Sequence, residues 1–330
     1  MTRVAIIGGG IGGLTAANAL SRAGIEVAVY EAAAELKEIG AGVALHPNAM
    51  RVLRAIGVEG NVREVAGRAP WQVMRNWKTG RVISKTSREQ QAASFGITGA
   101  TVHRADLLDV LAGALPAGLV TLGKRCTQVR PDGDLAVACF ADGSEVEADI
   151  NVVCHYDDAS YRHESWIAEC SREEVLERYA GWHESLLRLF AASQTWYKWA
   201  LYDRDPIPRW TRGRVTVLGD AAHPMLPYLG QGACQAIEDG AVLATALSAE
   251  TSDPVTGLAR YERTRRPRAS RVVLAARERG LSNHLTSRWA AWRRDLMIAW
   301  RRQVNRRDPE GRGAGWLADY DASSPDVLAT

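Results

Sequence analysis

The sequence has little of what marks the specialised protein classes. Its cysteines number only 5 (Cys126, Cys139, Cys154, Cys170, Cys234) and form no CxxC pair or zinc-ligand spacing. That excludes a disulfide scaffold and leaves reduced thiols of an intracellular protein. The longest uncharged run, Val4 to Ser21, contains Gly8, Gly9, Gly10, Gly12 and Gly13. So many glycines argue against a membrane span or a signal core, despite the small residues Ala17-Asn18-Ala19, and a cytoplasmic location is expected. There is no internal repeat or low-complexity segment, and no serine nucleophile elbow, Walker loop or catalytic-cysteine motif. No metal site is expected. The segment His155-x-Asp157-Asp158-x4-His163-Glu164 has suitable ligand types, but its spacing fits no helical or hairpin chelate.

Charge of one sign is also scarce: 41 Lys+Arg against 38 Asp+Glu give +3, which does not call for a nucleic-acid partner. The charge is unevenly placed, however, because arginines crowd the stretch from Arg260 to Arg312. A solvated helix face is the expected reading there, with arginine stems packed and their heads in water; a nucleic-acid or membrane surface is the alternative.

What is present is a globular composition, 46% hydrophobic and 24% charged over 330 residues. A chain of this size builds its core without disulfides or metals, as two domains or as one large α/β unit with a smaller partner. Phenylalanine is rare at 3, whereas glycine reaches 30, and many glycines lie in two short stretches.

The first stretch sits in a βαβ pattern. Val4–Gly8 is a short apolar strand, Ile11–Ala23 a helix with small residues on its packing face, and Glu26–Glu31 a second strand. Between the first strand and the helix lies Gly8-x-Gly10-x-x-Gly13. Gly8 permits a tight turn, Gly10 lets backbone approach a pyrophosphate, and Gly13 allows close helix–sheet packing. The helix start at Ile11, Gly12 and Gly13 offers free N–H groups to phosphate. Glu31 is placed to accept from ribose hydroxyls, and its charge disfavours a 2′-phosphate. The fingerprint alone leaves NAD and FAD open.

Further along, a helix starts near Pro47, and Trp71–Trp77 with Arg81–Ser84 flank the hairpin turn Lys78-Thr79-Gly80. His103–Leu115 is helical, and strands between Val120 and Ile150 turn at Pro131-Asp132-Gly133 and Ala141-Asp142-Gly143-Ser144. Asn151–His155 is a strand, Ser171–Ala180 and His183–Ala192 are helices, and Thr195–Tyr202 and Val215–Leu218 are strands. Helices follow over Gly232–Leu247, Pro254–Arg279 and Ser287–Arg302.

The second glycine stretch runs Arg214-Val-Thr-Val-Leu-Gly-Asp220-Ala-Ala-His-Pro-Met-Leu-Pro-Tyr-Leu-Gly-Gln-Gly232-Ala-Cys-Gln-Ala-Ile-Glu-Asp239. With it the chain resembles the FAD-dependent aromatic hydroxylases, the class A flavoprotein monooxygenases of the salicylate and hydroxybenzoate hydroxylase type. The resemblance implies an α/β fold with a glutathione-reductase-like FAD-binding Rossmann domain, a reduced mixed-sheet substrate region and C-terminal helices. The implied division is 1–150 for the first part of the FAD domain, 151–210 for a shortened substrate region, and 211–330 for the rest of the FAD domain with the C-terminal helices. Asp220 is implied to hold the FAD ribitol, and Gly230, Gly232 and Ala233 the flavin pyrimidine edge. There the helix start would stabilise the negative charge of reduced flavin. His103-Arg104-Ala105-Asp106-Leu107 resembles the motif whose arginine approaches the FAD diphosphate. In the loop Gly40 to Asn48, Val43 is a flavin contact, and His46 either faces substrate or fills a structural role. Pro227 matches a position whose carbonyl lies near substrate and flavin; Tyr228 is a further candidate or a packed aromatic.

The reaction implied by the resemblance takes NAD(P)H to reduce FAD and O2 to form a flavin C4a-hydroperoxide, which hydroxylates a small aromatic acid or phenol. The protein positions the ring and excludes water. One departure stands out. After Ala148-Asp149-Ile150-Asn151-Val152-Val153 the family continues with a Gly-Ala-Asp-Gly-Ile-His-Ser-like stretch, whereas this chain continues Cys154-His155-Tyr156-Asp157-Asp158. Most of the sheet that roofs the substrate is therefore expected to be missing. The missing roof leaves two rival expectations: an FAD oxidase or reductase without oxygen insertion, and a flavin-binding pseudoenzyme. It also leaves an unpaired sheet edge. The arginine-rich helices are expected to pack on the FAD domain or to form a homodimer interface.

Overall fold

The computed structural model describes residues 2–36, 42–154, 169–198, 201–304 and 315–329, with the backbone alone at 302 and 303. The His155–Glu164 segment, and Gly40 of the flavin loop, lie outside the described residues.

The opening unit follows from its side chains. Arg3–Ile7 is apolar and buried beyond its first residue, as a central parallel strand requires. It turns through Gly8, whose φ of 112° excludes other residue types, into the helix Ile11–Arg22 and returns as Glu26–Tyr30. Around this unit forms a six-stranded sheet in the order Thr211–Arg212, Val215–Val217, Ile150–Val153, Arg3–Ile7, Glu26–Tyr30, Val120–Thr121. All neighbours are parallel except the outermost pair, Thr211–Arg212 with Val215–Val217.

One face of this sheet is covered by two helices that come unusually close. A Cβ on Gly240, in the helix Gly232–Ala249, would stand 2.8 Å from the Ala16 nitrogen of Ile11–Arg22. The small residues expected on the first helix's packing face therefore meet a second helix as well as the sheet. A three-stranded antiparallel meander (Cys126–Asp132, Leu135–Phe140, Glu145–Ala148) packs Phe140 on Tyr30 with ring centroids 5.1 Å apart. Its first turn falls one residue later than the sequence suggests. Pro131 stays in the ladder opposite Ala136, and Gly133, at φ 57°, makes the reversal.

Outside this frame Gly42–Leu45 pairs antiparallel with Ala100–His103. The hairpin Trp71–Arg75/Val82–Ser87 forms a two-stranded sheet of its own. Its turn is held by Asn76 Oδ1, which accepts from Lys78 N and Thr79 N at 3.1 and 2.9 Å. The helices Arg172–Arg178 and Glu184–Ala192 follow the predicted spans, and His183 N donates to Trp77 O at 2.8 Å to dock them on that turn. The strand expected over Thr195–Tyr202 is corrected: among the described residues it amounts to one bridge, Tyr197 with Glu169. Among the described residues no strand lies beside it, so its backbone has no ladder to join there.

The long helix Pro254–Asn283 packs on Gly232–Ala249, and Arg288–Val304 packs on the hairpin strand Val82–Ser87. The expectation of a solvated arginine face fails at Arg265, which is fully buried. No described helix is long and apolar enough to cross a membrane.

Candidate active site

The carboxyl ends of the parallel strands open on one edge of the sheet, where ligands of such folds bind. Both glycine stretches reach that edge. In the first, Leu14 N is the earliest helix amide with an intrahelical acceptor, Gly10 O at 2.9 Å, so the amides of Ile11, Gly12 and Gly13 remain for an anion. A Cβ on Gly10 would meet nothing within 4 Å, whereas one on Gly13 would lie 2.0 Å from Gly8 O. Gly10 thus faces open space and Gly13 faces the protein. Gly12 also turns inward: its Cβ would meet Leu218 Cδ1 at 2.8 Å. Its side serves helix packing, and only its amide belongs to the helix start.

Glu31 sits across the turn. Its Oε2 accepts from Gly9 N at 2.6 Å and Oε1 from Ala33 N at 2.8 Å. Each oxygen retains a lone pair for a ribose hydroxyl.

In the second stretch, Val215–Val217 runs into the short turn Gly219–Ala221, which leaves Asp220 exposed at the same edge. Gly230, at φ 62°, then leads to the helix that starts at Gly232, where a Cβ would touch only Met225, at 4.0 Å. That helix start is brought against the loop carrying Val43 and His46. His46 N donates to Cys234 Sγ at 3.4 Å, Cys234 Sγ donates to Ala44 O at 3.4 Å, and a Cβ on Gly230 would lie 3.2 Å from His46 Nε2. Arg104 opens the helix after Ala100–His103, and Val43 pairs with Val102 on that strand. Val43, His46, Arg104, Gly230, Gly232 and Ala233 thus converge from three separate parts of the chain.

Two predicted residues stand differently. The Pro227 carbonyl accepts from Gly230 N at 2.9 Å and so shapes the turn itself. The Tyr228 ring packs on Gly280, whose added Cβ would lie 2.6 Å from it, and edge-on to His284 at 5.4 Å.

Beneath the site lies a buried charge network that the sequence reading did not assemble. Arg265 donates to Asp239 Oδ1 at 2.7 Å, Glu238 Oε2 at 2.5 Å and Gln235 Oε1 at 2.8 Å. Arg268 reaches both Glu238 oxygens at 2.7 and 2.8 Å, and Asn48 Nδ2 reaches Glu238 Oε1 at 2.6 Å. Asp239 Oδ2 accepts from Gly219 N at 2.9 Å and pairs with His223 Nε2 at 2.6 Å. The network grips the Asp220 turn through Gly219. It also grips the residue before the Gly232 helix, because Gln231 Oε1 accepts from Asn48 and Gln235, each at 3.1 Å. A signal for Arg265 was present: it falls in phase with Leu258, Tyr261, Val272 and Ala276, the buried stripe of its helix.

Burial pushes the Asp239 carboxyl up, but the charges of His223 and Arg265 and the donated hydrogen bonds outweigh it and bring the group down from 3.8 to about 2. A carboxylate with a depressed folded pKa stabilises above its unfolded pKa, and that contribution is lost as pH falls through the folded one. Asp239 is therefore expected to withdraw about 2 kcal/mol of stability between pH 4 and pH 2. In acid-unfolding titrations, Asp239→Asn should show a correspondingly shallower limb over that window.

The donor set fits a flavin dinucleotide: an open glycine cradle at a helix start, a carboxylate for ribose, an exposed Asp for a polyol, and a second helix start for an electron-rich ring edge. The comparisons agree. A family described as "FAD binding domain" matches residues 1–108 and 85–276. The chain is 34% identical over 353 residues to a 3-amino-4-hydroxybenzoate 2-monooxygenase of Streptomyces platensis, an alignment covering 86% of this chain and 89% of that one. It is 33% identical over 343 residues to a 6-hydroxynicotinate 3-monooxygenase of Bordetella bronchiseptica, covering 82% and 89%. A salicylate hydroxylase–substrate complex superposes with a TM-score of 0.79 at 25% identity, covering 100% of this chain and 98% of that one. The fold and the site define an FAD-dependent oxidoreductase. The chain belongs to the FAD-dependent aromatic monooxygenase family.

Proposed function

We propose that this chain hydroxylates a small aromatic acid or phenol in the cytoplasm, with NAD(P)H as reductant and O2 as oxygen source. The observation that carries the reading is the pair of helix starts, at Ile11 and at Gly232, each preceded by a glycine turn, with Glu31 bonded to Gly9 of the first turn and Asp220 exposed in the turn after Val215–Val217. When bound, FAD supplies electron transfer from NAD(P)H and oxygen activation. The chain's residues do the rest. The amides of Ile11, Gly12 and Gly13, with Arg104, hold the diphosphate, and Glu31 and Asp220 hold the sugar and polyol. The Gly232 helix start stabilises negative charge at the ring edge, with His46 beside it.

A cut-back substrate roof is part of the proposal. The alignment with the Streptomyces platensis enzyme runs over 353 positions, more than the 330 residues this chain possesses, so that relative has residues without a counterpart here. Among the described residues the hairpin Trp71–Arg75/Val82–Ser87 is a sheet of two strands. With less cover the site excludes water less well, which favours release of hydrogen peroxide over oxygen insertion. The expected outcome is a flavin visible spectrum, NAD(P)H oxidation stimulated by aromatic acids, and label from 18O2 in the product alongside much peroxide. Failure to bind or reconstitute flavin overturns the cofactor assignment. Peroxide alone, without labelled product, favours the oxidase reading, and a flavin-loaded chain that no aromatic acid stimulates favours the pseudoenzyme.

A further inference from the structure

The helix Arg288–Val304 is amphipathic the wrong way round for its place in the fold. It rests on Val82–Ser87 with Ile298 buried. Toward solvent it presents Trp289, Trp292, Leu296, Met297, Trp300 and Val304, of which the three tryptophans are 64%, 51% and 57% exposed. Trp289 and Trp292 stack face to face at 4.8 Å. At 100° per residue these six side chains fall on one broad arc. Arg288 and Arg301 flank that arc and Arg293 lies within it. The helix has five arginines against the single acid Asp295, and Asp295 is paired to Arg294 at 2.8 Å.

We propose that this face docks on an anionic lipid surface, making the protein a peripheral, not a spanning, membrane binder. Tryptophan seats its apolar ring and polar N–H at the lipid–water boundary, and arginine meets anionic headgroups; a helix with both is the pattern of an interfacial anchor. Charge argues against a second copy of this chain as the occupant. In a two-fold dimer the same patch meets itself, so Arg288, Arg293 and Arg301 would face arginines. A lipid surface supplies the opposite sign. The proposal does not depend on what the active site binds.

The test is vesicle co-sedimentation of the full chain, with phosphatidylcholine alone and with phosphatidylcholine–phosphatidylglycerol mixtures. Binding to the anionic vesicles is expected, with a blue shift of tryptophan emission. It should be at least about tenfold weaker on neutral vesicles or in high salt. Trp289→Ser with Trp300→Ser should weaken it by about a hundredfold, and Arg288→Glu with Arg301→Glu should abolish the preference for anionic lipid. Trp289, Trp300 and Arg288 are exposed and Arg301 is half-buried, so the variants should melt close to the wild type. Absence of vesicle binding overturns the proposal, as does equal binding to neutral lipid. Sedimentation velocity that shows a dimer dissociated by the tryptophan changes, with no vesicle binding, assigns the face to a second copy instead.

Discussion

Arg265→Met is expected to lower the stability of the folded chain by about 3–5 kcal/mol, because it removes the buried cation that two buried carboxylates share. Glu238, Asp239 and Arg265 are all inaccessible to solvent. Burial pushes the Arg265 guanidinium toward deprotonation, but the charges of Glu238 and Asp239 more than reverse this and hold it charged. Methionine matches much of the volume but supplies no donors, so the loss is electrostatic. The melting temperature should fall by roughly ten degrees. Arg265→Lys should recover only part of it, since one ammonium cannot make the forked contacts to Asp239, Glu238 and Gln235. Arg260→Met is the control: its ion pair with Glu250, at 2.6 Å, is half exposed to water, and its loss should cost no more than about 1 kcal/mol. Equal losses at the two positions would show that burial does not set the scale. The variant should also release flavin more readily than its melting point alone explains, because the network holds Gly219 N, next to Asp220, and Gln231 Oε1, next to the Gly232 helix start.

The parts legible in the sequence are those written in local chemistry. The first βαβ unit could be read because strand, glycine turn and helix occupy consecutive residues and each fixes the next. The hairpin at Asn76–Gly80 was visible for the same reason. The Val43–His46 loop and the Gly232 helix were each recognisable, but their meeting through Cys234 Sγ and Ala44 O spans 190 residues, and only the shared sheet edge produces it. Arg265 was hidden among sixteen arginines between Arg260 and Arg312. Charge density suggested solvent there, while helical phase placed this one arginine in the buried stripe. The described part of Thr195–Tyr202 shows the opposite failure: its β-forming composition is sound, but a strand also requires a neighbour, and among the described residues it has one bridge, to Glu169.

Within the first glycine turn, two alanine substitutions three residues apart should fail in opposite ways. Gly13→Ala places a methyl group 2.0 Å from Gly8 O. That carbonyl has little room to retreat, because Gly8 N is tied to Tyr30 O at 2.8 Å. The overlap should cost at least about 3 kcal/mol, and little folded protein should be recovered with or without flavin. Gly10→Ala meets no atom within 4 Å. Its φ of −72° and ψ of −177° suit any residue, so the flavin-free chain should keep its melting point within about 0.5 kcal/mol. The new methyl group, however, occupies the space through which backbone approaches a pyrophosphate. FAD affinity, followed by flavin fluorescence quenching, should fall by about 10- to 100-fold, or about 1.4–2.8 kcal/mol. An unchanged affinity would mean that the diphosphate does not rest on Gly10. A wild-type melting point for Gly13→Ala would mean that the turn can open. Glycine is thus expected to serve two purposes in this motif: at Gly13 to let the chain pack, and at Gly10 to keep a surface bare for the ligand.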